Sequence, residues 1–325
     1  MAEENDLAAG VAEVLAERGL GGIEVELSRI PGGASRETWL VESDDNAFVI
    51  RRDPPGSESL VRMGEEFRLI GQAAENGVPV PEPIGFEPTG GRFGAAGMLM
   101  AHVEGTSVAP RILRKPEYER ARERLPGQLA EALARIHAID PASLDGVLPA
   151  PAADPANAQI EEWERQLDRI GEPLPAVELG LRWLRANAPE PVEPRLVHGD
   201  FRLGNFIVDA DGLAAVIDWE LAHLGDPAED IGWLCIRSWR FGNDELPVAG
   251  VGHVGPFLTA YQAAGGRPVK AERLRFWEVL GNVKWAIICA RQAHDHLTGA
   301  RRSHELASLG RRICEPEWDM LKLIR

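Results

Sequence analysis

A polar loop strung between apolar runs constrains this chain more than any other feature: Leu196-Val-His198-Gly-Asp200-Phe-Arg202-Leu-Gly-Asn205-Phe-Ile-Val208, then Val216-Ile-Asp218-Trp219-Glu220. Leu196-Val197, Phe206–Val208 and Ala214–Ile217 read as three short strands, because each is a brief apolar run bounded by turn residues. Asp209-Ala-Asp-Gly212 supplies a hairpin turn between the last two, which predicts that Asp218 returns beside Asn205. Short strands here and helical text elsewhere read together as an α+β protein, with these polar side chains on a loop.

Those groups suit one chemistry. Phosphoryl transfer from a nucleotide needs a carboxylate to orient a hydroxyl nucleophile and oxygen ligands to hold magnesium against the phosphates. Asp200 fits the first task. Asn205 and Asp218 fit the second, since magnesium takes hard oxygen ligands and only one or two from protein. The plainer alternative is a polar turn whose Asp side chains only bond backbone amides.

Segment 196–232 resembles the signature of the aminoglycoside phosphotransferase family, a branch of the protein-kinase-like fold. The wording His198-Gly-Asp-Phe-Arg-Leu-Gly-Asn205, then Ile217-Asp-Trp-Glu-Leu-Ala-His-Leu-Gly-Asp-Pro227, is closest to a sub-branch found fused to or beside acyl-CoA dehydrogenases. The resemblance is dense at 196–232, moderate at 30–105 and weak after 235. It implies Asp200 as catalytic base, Asn205 and Asp218 as metal ligands, and His198 as a brace for the loop. Trp219 and Glu220 stand where protein kinases have Phe and Gly. Arg202 occupies a spot where kinases carry a Lys; it neutralises charge on the transferred group or pairs with a structural carboxylate.

Hydrophobic periodicity organises the rest. Leu7, Val11, Val14 and Leu15 predict a helix over 6–18, ended by Gly19-Leu-Gly-Gly22. Strands are expected at 23–30, 37–42, 47–51, 84–87 and 97–103. A helix over 57–76 places Leu60, Met63, Phe67, Ile70 and Ala74 on one face. Five strands with one main helix match the small antiparallel-sheet lobe of a kinase-like fold. Beyond Gly105 helices are expected near 117–138, 157–170, 175–187, 227–239, 256–264, 271–298 and 303–323. The expected division is 1–101 as nucleotide-binding lobe, 102–105 as hinge, and 106–325 as a helical lobe with catalytic loop and acceptor site.

On the nucleotide side, Phe48-Val-Ile-Arg51 resembles the kinase strand that ends in a phosphate-contacting Lys, with Arg in its place. Strand alternation puts Val49 and Arg51 on one face and Arg52 on the other. Arg is not a neutral swap, because its planar fork suits two-pronged contact with oxygens. Glu66 shares the inward side of its helix with Met63 and Ile70 and needs a partner there; Arg51 is the expected one. Gly32, Gly33 and Ser35 form the candidate phosphate-covering loop. The resemblance places Met100 to Val103 where backbone meets the base. It also makes ATP the expected donor, with GTP open.

Asp226 is expected as the N-cap of helix 228–239 with Pro227 at its first position, and Asp230 as a support behind the loop. The acceptor is expected near Trp239, Trp277, Trp285, Lys284 and Arg291, although Trp277, Trp285 and Cys289 on one helix also read as core. His294 and His296 are expected at the surface.

Composition sets limits. The chain has 325 residues, 44% hydrophobic and 26% charged, an ordinary globular balance and long enough for two cores. A net charge of −16 argues against nucleic acid as partner, since phosphate binding needs clustered Lys and Arg. It suits attraction of a cationic substrate or plain solubility. No apolar run reaches the ~20 residues of a membrane span, and the acidic start is unlike a signal peptide. Three cysteines without paired or ligand spacing predict a reduced cytoplasmic setting and no zinc. The expected activity is a magnesium- and ATP-dependent kinase acting on a hydroxyl of a small metabolite or antibiotic. The alternative is a catalytically degenerate nucleotide-binding or scaffold module. Oligomeric state is not legible.

Overall fold

The computed structural model describes residues 2–20, 24–30, 36–43, 46–54, 60–88 and 91–325. They form two compact units, one of Met1–Gly105, Ile207–Asp209 and Leu213–Glu220, the other of Thr106–Phe206, Ala210–Gly212 and Leu221–Arg325. Segments 207–209 and 213–220, expected with the helical lobe, thus group with the first unit. Gly32, Gly33 and Ser35 lie outside the described residues.

The first unit is a five-stranded antiparallel sheet with a helix at each end of its first half. Its elements are α1 (Ala2–Glu17), β1 (Glu26–Arg29), β2 (Glu37–Ser43), β3 (Asn46–Arg52), α2 (Leu60–Glu75), β4 (Pro83–Glu87) and β5 (Gly97–Ala101), with strand order β1-β2-β3-β5-β4. Alternation along β3 buries Phe48, Ile50 and Arg52 and leaves Val49 and Arg51 half-buried on the opposite face. Phe48 and Ile50 join Trp39, Val41 and Leu99 in a core against Leu7, Val11, Val14 and Leu15 of α1. Burying each such aliphatic side chain contributes roughly 1.5–3 kcal/mol. Close approach there requires Gly10, whose added Cβ would lie 1.8 Å from the Arg92 carbonyl oxygen.

Along α2, Met63, Glu66, Leu69, Ile70 and Ala73 are buried, so the helix is turned slightly from expectation and Ala74 is exposed. Glu66 faces inward as its spacing predicts. Segment 213–220 is tied to this unit by the Val216 amide, which donates to the Pro79 carbonyl at 2.8 Å.

The second unit carries α3 (Ala109–Arg114), α4 (Glu119–Ala138), α5 (Pro155–Ile170), α6 (Pro175–Ala186) and β6 (Arg195–Val197). β7 (Phe206–Val208) and β8 (Leu213–Val216), which apart from Phe206 group with the first unit, make the expected two-stranded hairpin. Then follow β9 (His223–Gly225), α7 (Ala228–Cys235), α8 (Val254–Ala263), α9 (Ala271–Leu297), α10 (His304–Leu309) and α11 (Cys314–Leu323). α9 is the centre of the core, packing Phe276, Trp277, Leu280, Val283 and Ile287 against α5, α6, α7 and α11. The helix expected over 227–239 ends at Cys235, because Ile236 turns extended at φ −63°, ψ 148°. The one expected over 303–323 is broken by a 3₁₀ turn at Gly310–Arg312. β9 and α3 were not expected. Among the described residues no helix is long and apolar enough to cross a membrane.

Candidate active site

In the second unit, β6 buries Leu196 and Val197 and delivers the chain to a sharp turn at Gly199. Gly199 has φ +76°, and a Cβ there would lie 2.3 Å from the Leu221 carbonyl oxygen, so only glycine serves. α7 holds this turn from behind. Asp230, fully buried in its first turn, accepts the amides of His198 and Gly199, each at 2.8 Å. Burial works to raise the Asp230 pKa, but its bond to His137 and the neighbouring imidazoles hold the carboxyl below its usual range. From α9 the buried Lys284 donates to the Gly199 carbonyl at 2.6 Å. His198 is fully buried, and its Nδ1 accepts the Asp200 amide at 3.2 Å.

The loop therefore presents Asp200 with little freedom. Its Oδ1 accepts from Trp233 Nε1 at 2.7 Å and from Arg202 Nε at 2.9 Å; its Oδ2 accepts from Asn205 Nδ2 at 2.6 Å. A carboxylate offers about four acceptor positions, so about one stays open on Oδ2. Asn205 also donates to the Asp200 carbonyl at 3.0 Å. That commits its Nδ2 and leaves Oδ1 as an acceptor. Arg202 pairs with Asp200 itself and lies over the Trp239 ring at 4.5 Å.

In the first unit, Arg51 donates to Glu66 Oε1 at 2.8 Å, the expected strand–helix ion pair, and also approaches Asp218 Oδ1 at 3.5 Å. Arg36, which sequence reasoning missed, bonds the other Glu66 oxygen and lies 3.3 Å from Asp53. Burial opposes the Arg51 charge, yet Glu66, Asp218 and Glu220 outweigh it and raise the guanidinium pKa. Glu220 is held above the usual carboxyl range by desolvation and by repulsion from Asp218 and Glu66. Two guanidiniums thus face four carboxyl groups, a cluster short of positive charge. Asp218 sits at φ +70°, in the left-handed region that Asp tolerates better than most residues. Val49 lies directly across from Met100, and Arg51 from Met98, so these four share one sheet face. Val103 follows β5, half-buried.

The acceptor-side candidates divide. Trp277 is core: it is 1% exposed, and its Nε1 donates to Asp226 at 2.9 Å. Trp239 and Trp285 instead cluster with Trp233, at ring distances of 5.1 Å for Trp233–Trp239 and 4.8 Å for Trp239–Trp285. Lys284 stands 4.5 Å over the Trp233 ring, and Arg291 is exposed. His294 and His296 are half-buried. Asp226 is a structural hub rather than the N-cap; Pro227 holds that position, while Asp226 accepts from the Ala228 amide, Arg273 and Trp277. Trp233 is the second residue the sequence did not flag, although it falls one turn after Asp230 on α7.

The chain resembles several known proteins. Mouse (Mus musculus) acyl-CoA dehydrogenase family member 10 is 32% identical over 220 residues, 65% of this chain and 20% of that protein. Chicken (Gallus gallus) acyl-CoA dehydrogenase family member 11 is 28% identical over 313 residues, 89% of this chain and 40% of that protein. The chain thus spans less than half the length of these curated relatives.

Among solved structures, a Ralstonia eutropha protein provisionally designated an aminoglycoside phosphotransferase has a TM-score of 0.77 at 22% identity, over 96% of this chain and 97% of that one. The macrolide 2′-phosphotransferase of Brachybacterium faecium has a TM-score of 0.61 at 20% identity, over 92% and 96%. A spectinomycin phosphotransferase in complex with ADP and spectinomycin has a TM-score of 0.61 at 13% identity, over 96% and 98%. At these identities the likeness is one of fold. The family model described as the phosphotransferase enzyme family matches residues 26–277, and the chain belongs to that family.

Proposed function

We propose that this protein is a magnesium- and ATP-dependent kinase that phosphorylates a hydroxyl of a small molecule. The observation that carries this reading is Asp200, a carboxylate fixed by three side-chain donors with about one acceptor position open. Asp200 takes the acceptor hydroxyl at that position, orients its oxygen for in-line attack and receives its proton late in a loose transition state. Arg202 and Trp233 hold the carboxylate still, and His198 braces the backbone beneath it.

Asn205 and Asp218 are the residues that would hold magnesium, which neutralises phosphate charge when bound. The donor chemistry suits the ion: an Asp218 carboxylate oxygen, and an Asn205 amide oxygen left over by the bond of its Nδ2 to Asp200. Among the described residues no group of three or more His, Cys, Asp or Glu is placed to hold a metal; magnesium asks for no such cluster. Arg51, locked by Glu66, offers its remaining donors to the phosphates. Val49 and Met100 supply an apolar face for the base, and the backbone at Val103 its polar edge. Residues 1–101 bind nucleotide, 102–105 connect, and 106–325 carry the acceptor, with Gly32, Gly33 and Ser35 covering the phosphates.

The relative crystallised with ADP and spectinomycin supports a nucleotide donor and a small alcohol acceptor. The relatives named for acyl-CoA dehydrogenases favour an acyl compound over a polyamine sugar. Free cysteines at 235, 289 and 314 agree with action in the cytoplasm.

Titration calorimetry with ATP, with and without magnesium, tests the reading. Binding is expected to strengthen at least tenfold with magnesium, and D218N to abolish that gain. Nucleotide binding indifferent to magnesium in the unmodified protein would favour the degenerate module instead.

A further inference from the structure

Asp230 fixes the catalytic loop, and two residues fix Asp230. Its Oδ2 takes a third donor besides the loop amides, Nε2 of His137 on α4, at 3.1 Å. Nδ1 of the same imidazole meets the Tyr261 hydroxyl of α8 at 2.7 Å. His137 is 5% exposed, and Tyr261 and Asp230 are fully buried.

The carboxylate at one end orients this chain. A buried carboxylate only accepts, so Nε2 of His137 carries the proton that faces Asp230. In the neutral imidazole Nδ1 is then a lone pair, and the Tyr261 hydroxyl donates to it. Each link points the same way, toward the carboxylate that holds His198 and Gly199. Burial raises the Tyr261 pKa, which keeps the phenol a donor. Lys284, beyond the loop, donates to the Gly199 carbonyl and not into this chain.

We propose that His137 and Tyr261 are positioning residues for phosphoryl transfer, acting through Asp230 on the backbone that carries Asp200. The catalytic meaning rests on the kinase reading above; the bracing of residues 198–200 does not. An unbraced Asp230 carboxylate would keep two donors where it now has three, and the loop would open more often.

A cavity of about 260 Å³ lined by His137, Tyr261, Arg195, Pro227 and Arg267 adjoins the relay. Water entering it can hydrate an orphaned Nδ1, so Tyr261→Phe keeps its fold while losing the fixed donor.

Hydrogen exchange on the full chain decides the matter without needing the acceptor. His137→Ala is expected to raise exchange of the His198 and Gly199 amides by about 10- to 100-fold, the scale of a lost partner on a buried charged group. Tyr261→Phe should raise it several-fold, and His137→Gln, whose amide can still reach Asp230, should restore most protection. Amides of α9 should keep their rates, and ATP affinity should stay within about twofold while ATP turnover falls. Unchanged loop exchange in Tyr261→Phe and His137→Ala, or an equal rise throughout the second unit, would overturn the proposal. A protein that never turns over ATP would defeat the kinase reading and leave the exchange result standing.

Discussion

Glu278 offers a stability prediction with a definite sign. It sits half-buried on α9. The cation that answers it, Arg240, spends its guanidinium on the carbonyl oxygens of Cys235 and Asp244. Burial pushes the Glu278 carboxyl from 4.5 up to about 7, with Arg240 offsetting only part. Below about pH 4.5 the group is protonated folded and unfolded, and folding costs nothing at this site. Between about 4.5 and 7 the unfolded chain releases the proton while the folded one keeps it. Stability from this residue is therefore present in acid and is lost as pH rises through that window. At ~1.4 kcal/mol per pH unit the loss amounts to about 3 kcal/mol by pH 8. Glu278→Gln keeps the shape and removes the ionisation. Urea unfolding followed by tryptophan fluorescence should find the variant more stable than the unmodified protein by about 2–3 kcal/mol at pH 8, and by under about 1 kcal/mol at pH 5. An identical difference at both pH values, or a destabilised variant at pH 8, would refute the reasoning.

Two further outcomes follow from packing and charge. Glu66→Gln strips the carboxylate from between Arg36 and Arg51 and should destabilise the first unit by about 2–4 kcal/mol in urea unfolding. It should also weaken ATP binding, which calorimetry can read. Gly232→Ala would place a Cβ 2.6 Å from the Trp277 backbone and Cβ, where α7 meets α9. Overpacking of that kind costs about 1–3 kcal/mol, and a lower melting midpoint in calorimetry checks it.

Much of the local geometry was legible because it is periodic or short-range. The 3.6-residue spacing that turns Met63 and Ile70 inward also turned Glu66 inward, and strand alternation put Arg51 on the face of β3 opposite Phe48 and Ile50. Asp200 and Asn205 sit on one loop, and their spacing allows the bond found between them. What stayed hidden depends on contacts far along the chain. Arg36 meets Glu66 thirty residues later, Trp233 reaches Asp200 from thirty-three away, and Lys284 reaches Gly199 from eighty-five. No pattern in linear text announces such pairings. β9 is three residues, His223–Gly225, without alternation to reveal it, and it exists because β6 offers an edge. Helix ends failed where backbone geometry overrode propensity: Ile236 turns extended after α7, and the periodic text of 303–323 breaks at Gly310. Trp277, named among acceptor candidates, shares its helix with core residues and lies among them.

The most direct measurement follows ³¹P resonances of magnesium-ATP in the presence of a panel of alcohols, comparing the unmodified protein with D200N. The unmodified protein should move the γ-phosphate into a phosphomonoester of one alcohol. D200N should bind the nucleotide as before and transfer at a rate lower by about 100-fold or more. Transfer by D200N at the unmodified rate would contradict the account.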